Sequence, residues 1–288
     1  MPANKPVYHL EWSFTTVQGR RVRYGVGGSG TPVVFVHGWA LGSRSYKRAL
    51  KRVMALGCRV YAPALPGLGG SSALPGGDDD LEGYAGWLDG FFDAVGIREP
   101  ALVAGHSLGG AVATRFTHDH PDRVSHLVLI NAVGAAVWKE VAGEVRYLAE
   151  RPLWGWAADF SRDIVTSHGL SSTVRAIAED ALPNVVRDPA GMWRAARLAR
   201  RADLREELES ICGSGVAVSA ISSVGDLVVP TASFTELCRS LGVAGRVVRG
   251  RHSWLLGEPD LFGRVMADII ETPCRAEPLS EYRPAVNG

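Results

Sequence analysis

Ser107 is the residue whose surroundings point most directly to chemistry. It stands in the sequence GHSLG, at Gly105–Gly109, after the apolar run ALVAG and before a segment with a helical pattern. A serine between two glycines at a sharp strand-to-helix turn exposes its hydroxyl for nucleophilic attack, and the glycines allow the tight turn. Taken alone, the same serine is equally well explained as the N-cap of the following helix.

A base and an acid for this serine are also present. A serine hydroxyl is a weak nucleophile at its own pKa, so it needs a general base that a third group orients. Asp226 lies in VGDLVVP after the apolar run at 216–221, and His252 lies in GRHSW after the run at 246–249. Singly, Asp226 is explained as a turn aspartate and His252 as a surface or core histidine. In this order and these loop positions, Ser107, Asp226 and His252 predict a catalytic triad.

The loop after the apolar run VVFV at 33–36 is a candidate for binding an oxyanion. Attack on a carbonyl creates a negatively charged oxygen that needs backbone N–H donors. We expect one donor to be the N–H of Leu108, which follows the nucleophile, and the other to be the N–H of Trp39. Gly38 lets this loop approach a ligand closely, and His37 is interpreted as a structural residue that holds the loop. The Trp39 side chain either lines an acyl pocket or packs.

Alternating strands and helices must position these residues. Strand-like runs at 33–36, 58–62, 101–105 and 126–130 alternate with helical patterns at 44–56, 81–96 and 108–119. The alternation predicts an α/β fold with a mostly parallel central sheet of about eight strands, flanked by helices. A hairpin at 8–17 and 20–26 comes before this pattern, and a final helix is expected at 259–271.

The strand rhythm stops between residues 134 and 210, where helical patterns dominate. We therefore expect a helical cap at 134–210, inserted after the sixth strand into a core made of 1–133 and 211–288. Aromatic residues of the insertion either line an apolar pocket under this lid or form the core of the cap. The tentative pocket residues are Trp39, His106, Trp138 and Trp154. Trp193 belongs to the same aromatic set, and the arginine run at 194–205 is interpreted as a solvated, partly salt-bridged helix face.

The sequence GVGGSG at Gly25–Gly30 formally matches a dinucleotide-binding fingerprint, but its context is wrong. A true fingerprint follows a strand and opens a helix, with an acidic residue about 20 positions later. Here the glycines lead into a strand and no such acid follows. We interpret this stretch as a glycine-rich turn.

Composition limits the classes of partner and location. The chain has 288 residues, and its 31 basic and 30 acidic residues give a net charge of +1, so nucleic acid is not a favoured partner. The four cysteines are far apart and form no CxxC pair, which disfavours a zinc or dithiol site and is typical of reduced thiols in a cytoplasmic protein. No apolar stretch predicts a signal peptide or stable membrane insertion. The expected chemistry needs no metal or organic cofactor, and a homodimer is left open.

The motifs together resemble those of the α/β-hydrolase fold superfamily, in its bacterial serine esterase/lipase-like branch with a helical cap. The resemblance covers about residues 20–270 and rests on five elements in the family's order: His37–Trp39, Pro66–Ser71, Gly105–Gly109, Gly225–Pro230 and His252. It implies hydrolysis of a carboxylic ester with a hydrophobic acyl group, through an acyl-enzyme on Ser107. One departure is Ala64, where family members often carry an acidic residue that is considered structural.

Several activities share this triad. Epoxide hydrolases and haloalkane dehalogenases of the family attack with aspartate, so Ser107 disfavours both, and the GHSLG elbow differs from that of proline iminopeptidases. Carbon–carbon bond hydrolases of ring-cleavage pathways, cofactor-free haloperoxidases or perhydrolases, and thioesterases stay open. A non-catalytic ligand-binding protein with this fold is a further alternative, which a missing triad member would favour; none is missing.

Overall fold

The structure, a computed structural model, describes residues 8–76, 79–141, 144–152, 155, 158, 159, 162 and 177–271. Within these ranges the strands are β1 (Glu11–Val17), β2 (Arg20–Gly28), β3 (Thr31–Val36), β4 (Cys58–Pro63), β5 (Ala101–His106), β6 (Val124–Ile130), β7 (Val137–Val141), β8 (Glu144–Tyr147), β9 (Ala217–Ser223) and β10 (Arg246–Val248). The described α-helices are α1 (Lys47–Met54), α2 (Leu81–Ala94), α3 (Leu108–Asp119), α4 (Leu182–Arg187), α5 (Pro189–Arg201), α6 (Arg205–Cys212), α7 (Thr231–Leu241), α8 (Trp254–Gly257) and α9 (Pro259–Glu271).

Eight strands form one twisted sheet in the order β1-β2-β4-β3-β5-β6-β9-β10. The pairs β1–β2 and β2–β4 are antiparallel, and every other neighbouring pair in this sheet is parallel. The mostly parallel sheet of about eight strands that the sequence predicts is therefore confirmed. Every residue of β5 is buried, because helices cover both faces of the sheet.

Two hydrophobic cores lie on the two sides of the sheet. One contains Phe91 and Phe116 from α2 and α3. The other contains Tyr46, Trp254 and Phe262, which pack with α1 and α9. The parallel arrangement brings the carboxyl ends of β3, β5, β6, β9 and β10 to one edge, where ligands bind in open α/β sheets.

The N-terminal hairpin is present, with Gln18 and Gly19 at φ 49° and 71°. Positive φ at both central residues suits a two-residue hairpin turn. The glycine-rich stretch that follows differs from the predicted turn, because β2 continues through Gly28 and pairs with β4. A Cβ on Gly27 would lie 2.7 Å from the sulfur of Met54, so glycine permits the close approach of this strand to α1. The turn itself is confined to Ser29 and Gly30.

The segment between β6 and β9 contains α4, α5 and α6, and it begins with an antiparallel hairpin, β7–β8. The sequence pattern did not predict this hairpin, because strands of four or five residues give little periodic signal. Trp154, Trp156 and Phe160 lie outside the described residues. Trp193, on α5, is 53% exposed and therefore does not belong to a buried core.

The arginine-rich face of α5 is partly salt-bridged. Arg194 pairs with Asp79 at 2.7 Å, and Arg205 pairs with Asp203 at 2.6 Å. Arg200 donates to the main-chain oxygen of another residue, Arg151.

In the part of the chain that the structure describes, no helix is long and apolar enough to cross a bilayer. Cysteines 58, 212 and 238 are free thiols.

Candidate active site

Ser107 occupies the turn between β5 and α3, with φ 55° and ψ −119°. Positive φ is unfavourable for a residue with a side chain, so the surrounding structure must hold it. The Ser107 N–H donates to Ile130 at 3.1 Å, and its carbonyl accepts from Gly110 at 2.9 Å and from Val133 at 3.3 Å. A Cβ on Gly105 would lie 2.6 Å from the Gly110 Cα, which leaves glycine as the residue that fits.

His252 and Asp226 form a buried pair at the same edge of the sheet. The His252 Nδ1 lies 2.9 Å from Oδ2 of Asp226, and their side chains are 0% and 1% exposed. The other carboxylate oxygen of Asp226 accepts the N–H groups of Val228 and Val229 at 2.8 and 2.9 Å. These bonds fix the orientation of the carboxylate. With Nδ1 donating to Asp226, Nε2 is the nitrogen of His252 that can accept a proton.

Asn131 is a further hydrogen-bond partner of Asp226, and the sequence analysis did not predict it. Its side-chain amide donates to Oδ2 of Asp226 at 2.6 Å and to Ser223 at 2.8 Å. Its carbonyl oxygen accepts the indole N–H of Trp254 at 2.9 Å, so Asn131 links the acid to the helix beside His252. The residue has φ 45° and directly follows β6. A polar residue just past the end of a buried parallel strand is the signal that could have found it.

His106 connects the turn of Ser107 to the loop of His252. Burial, together with the neighbouring His252, lowers the pKa of His106 to about 3, so the ring is neutral. A carbonyl can only accept, so Nε2 of His106 donates to the His252 oxygen at 3.0 Å, and Nδ1 accepts from the hydroxyl of Tyr46 at 2.9 Å. The Tyr46 hydroxyl accepts in turn from the Gly38 N–H at 3.4 Å. The His106 ring is buried and both of its nitrogens are bonded within the interior, and its tentative place in a substrate pocket stays a prediction.

The loop after β3 packs directly against the serine. A Cβ on Gly38 would lie 3.0 Å from Nδ1 of His106 and 3.1 Å from the Ser107 Cβ, so any larger residue here would require its neighbours to shift. His37 accepts from the Leu65 N–H at 2.9 Å and donates from Nδ1 to the Gly38 oxygen at 2.8 Å. Burial lowers the pKa of His37 to about 4, so this ring is neutral and holds the loop. Leu108 is the first residue of α3, where main-chain N–H groups have no partner within the helix.

Three contacts join the segment between β6 and β9 to this loop. The indole N–H of Trp39 donates to the Met192 oxygen on α5 at 2.8 Å. The amide of Asn184 donates to the Ala40 oxygen at 3.0 Å. The carboxylate of Asp180 accepts the Ser45 N–H at 2.9 Å and the Ser45 hydroxyl at 2.6 Å.

Trp138 is connected through Arg151 to the loop that carries Asp226. Its ring centre is 5.8 Å from the guanidinium carbon of Arg151, which donates to the oxygens of Leu227 and Val228 at 3.1 and 3.2 Å. Trp39 is half-buried against the main core, and Trp154 lies outside the described residues. The structure thus gives positions for Trp39, His106 and Trp138 among the tentative pocket residues. Across the described ranges, no three His, Cys, Asp or Glu side chains are arranged to hold a metal ion.

Comparison with known proteins agrees with this architecture. A family model described as the alpha/beta hydrolase fold matches residues 31–200, more than half of the chain. A pimeloyl-(acyl-carrier protein) methyl ester esterase of Aromatoleum aromaticum is 29% identical over 255 residues, which cover 83% of this chain and 97% of that protein. A non-heme chloroperoxidase of Kitasatospora aureofaciens is 34% identical over 120 residues, 41% of this chain and 43% of that protein.

A solved structure shows the same fold at low sequence identity. The bromoperoxidase from Bacillus anthracis aligns with a TM-score of 0.76 at 17% identity, covering 91% of this chain and 100% of that one. The family match includes Trp39 and Ser107 but ends before Asp226 and His252. The catalytic roles of these residues therefore stay a prediction.

Proposed function

Because the chain belongs to the α/β hydrolase fold family, we propose that it is a serine hydrolase that cleaves carboxylic esters with a hydrophobic acyl group. The observation that carries the proposal is a serine held at φ 55° on the elbow between β5 and α3, at the sheet edge that also holds the buried His252–Asp226 pair. The resemblance of most of the chain to a methyl ester esterase supports an ester as the substrate.

The proposed reaction uses Ser107, His252 and Asp226 in turn. Nε2 of His252 takes the hydroxyl proton as the Ser107 oxygen attacks the ester carbonyl. The Asp226 carboxylate stabilises the imidazolium that forms, and His252 then protonates the departing alcohol. A water deprotonated by His252 hydrolyses the acyl-enzyme and restores the serine.

The oxyanion is proposed to bind between the main-chain N–H groups of Trp39 and Leu108. Gly38 brings the first donor beside Ser107, and the N-terminus of α3 adds a partial positive charge at the second. Losing one such donor costs about 10²–10³ in turnover.

The acyl group is proposed to lie between Trp39 and the segment 134–210, which we propose acts as a cap. Its apolar walls would include Trp39 and Trp138. The free thiols of Cys58, Cys212 and Cys238 are in keeping with the cytoplasmic location that we also propose.

The test uses p-nitrophenyl esters from acetate to palmitate, with Ser107→Ala beside the wild-type protein. Ser13→Ala, on β1 at the other end of the fold, is the matched control. The wild type and the control should hydrolyse the esters, and Ser107→Ala should not. A fluorophosphonate should add to the wild type in intact-mass spectra and leave Ser107→Ala unmodified. Turnover that survives Ser107→Ala would refute the mechanism.

Perhydrolysis is a second candidate, favoured by the resemblance to the non-heme chloroperoxidase. Hydrogen peroxide would attack the acyl-enzyme carbonyl in place of water, so that the acyl–oxygen bond to Ser107 breaks and a peracid leaves. Peracid formation from acetate and peroxide tests this candidate, and it should also disappear in Ser107→Ala.

A further inference from the structure

Four arginine side chains lie around one spot beside the N-terminal hairpin. The terminal nitrogens Nη1 of Arg23 and Arg187 lie 3.7 and 3.9 Å from the point where a Cβ on Gly70 would stand. The guanidinium carbons of Arg23 and Arg44 lie 5.8 and 5.5 Å from the ring centre of Trp12. Arg21, Arg23, Arg44 and Arg187 are called the arginine cluster below.

Two aromatic rings contact three members of the cluster. The guanidinium carbons of Arg21 and Arg23 lie 3.6 and 5.8 Å from the ring centre of Phe14, and those of Arg23 and Arg44 lie 5.8 and 5.5 Å from the ring centre of Trp12. Guanidinium groups are attracted to aromatic faces, so the rings restrict the arginines before any ligand arrives. Arg23 is the central member, because it contacts both rings and the gap at Gly70.

The cluster carries more positive charge than its surroundings neutralise. Among the residues that the structure describes, none of these four guanidinium groups forms an ion pair, whereas Arg52, Arg194 and Arg246 each pair with an aspartate. The carboxylate that acts on Arg23 is Asp180, and that carboxylate already accepts the N–H and hydroxyl of Ser45. Asp180 alone cannot balance four cations.

Arg23 is also partly removed from water. Its Nε is buried and has no hydrogen-bond partner within the described ranges. Burial lowers the pKa of Arg23, and the charges of Arg44, Arg187 and Arg21 lower it further. An anion between the guanidinium groups would relieve this repulsion.

We propose that the arginine cluster binds a phosphate group, either as the free ion or as a phosphate monoester. Guanidinium groups present paired N–H donors that match phosphate oxygens, and a dianion suits several cations better than a carboxylate does. Gly70, at φ 95°, leaves the gap between Arg23 and Arg187 open, since a side chain there would fill it. Arg187 lies on α4, three residues after Asn184, which bonds to Ala40 in the loop beside Ser107. Phosphate binding at this cluster does not depend on the proposed hydrolysis.

Thermal unfolding of the full chain tests the proposal. Inorganic phosphate and glycerol 3-phosphate are titrated separately at constant ionic strength, with sodium chloride as the balancing salt. Either ligand should raise Tm in a saturable way, by about 5 °C at a hundred times its dissociation constant. The stronger of the two responses identifies the free ion or the monoester as the better ligand. A Tm that follows ionic strength alone would overturn the proposal.

Charge-removing variants locate the response. Arg23→Gln and Arg187→Gln should lose the phosphate-dependent rise in Tm, and without phosphate their Tm should equal or exceed that of the wild type, because repulsion is relieved. Arg264→Gln, at an exposed position of α9, is the matched control and should keep the full response. Arg187 and Arg44 are exposed, so Arg187→Gln and Arg44→Gln carry the test if Arg23→Gln does not fold. A full phosphate response in these folded variants would disprove the site.

Discussion

The indole N–H of Trp39 donates a 2.8 Å hydrogen bond to the main-chain oxygen of Met192. One residue thus supplies both a proposed oxyanion donor, through its main chain, and a link to α5, through its side chain. Trp39→Phe keeps the main-chain N–H and an aromatic ring but removes the link. We expect kcat/KM for short esters to fall about fivefold, the equivalent of one hydrogen bond of about 1 kcal/mol. Trp193→Phe, on an exposed part of the same helix, should leave steady-state kinetics unchanged; equal losses in both variants would contradict the link.

The positive φ of Ser107 predicts that replacing this residue by glycine removes activity but raises stability. At φ 55° a side chain is strained and glycine is not. Ser107→Gly should therefore abolish ester hydrolysis while raising the free energy of unfolding by about 1 kcal/mol. Ser107→Ala keeps a Cβ and should lose activity without this gain. Urea unfolding of the two variants provides the measurement, and a Gly variant no more stable than the Ala variant would argue against strain.

Asp226→Asn should damage both catalysis and folding. Both oxygens of the Asp226 carboxylate accept hydrogen bonds, two each. In Asp226→Asn one of these oxygens becomes an NH₂ group, so in either orientation of the amide a donor faces the donors of neighbouring groups. We expect kcat to fall by about 10⁴-fold, since the tautomer of His252 is no longer fixed. Stability should fall by about 1–3 kcal/mol for the unsatisfied groups. Asp122→Asn, at an exposed turn, is the control for both readouts, and normal turnover in Asp226→Asn would exclude Asp226 as the orienting acid.

Tyr46→Phe tests the hydrogen bonds that pass through His106. The substitution keeps the ring but removes the hydroxyl between the Gly38 N–H and Nδ1 of His106. Two buried polar groups then lack a partner, which should cost about 1–3 kcal/mol in the free energy of unfolding. Removing the exposed hydroxyl in Tyr61→Phe should change little. Chemical denaturation compares the two, and equal stabilities would mean that the Tyr46 hydroxyl is dispensable.

Three buried neutral histidines predict a pH dependence of stability. Burial lowers the pKa of His37 and of His126 to about 4 and that of His106 to about 3, from 6.5. In the unfolded chain all three bind protons below a pH of about 6.5, so unfolding takes up protons between that pH and the folded pKa values. Stability should be full above pH ~6.5 and decline as the pH falls toward 4, by up to about 1.4 kcal/mol per pH unit for each histidine.

Urea unfolding between pH 7 and pH 5 isolates this effect, because most carboxylates stay ionised in that range. His118→Gln removes an exposed histidine and should leave the slope unaltered. Equal stability at pH 7 and pH 5 would show that these histidines are not held neutral.

Features set by local pattern were predictable from the sequence. Helix α3 has the predicted bounds, 108–119, because the elbow fixes its start and Pro121 follows its end. The approach of the Asp226 and His252 loops was predictable because parallel strands end at one edge of the sheet. Asn131, Tyr46 and the inward orientation of His106 depend on contacts between residues far apart in sequence, which no local period reveals. The β7–β8 hairpin was missed because its strands are short.

The contacts of Trp39, Ala40 and Ser45 with the segment between β6 and β9 have a consequence for protein engineering. All three fall within seven consecutive residues of the loop after β3. A chimera that receives this segment from another family member would lose the acceptors and donors that shape the loop. A transplant of this segment should therefore include residues 37–46 from the same donor protein.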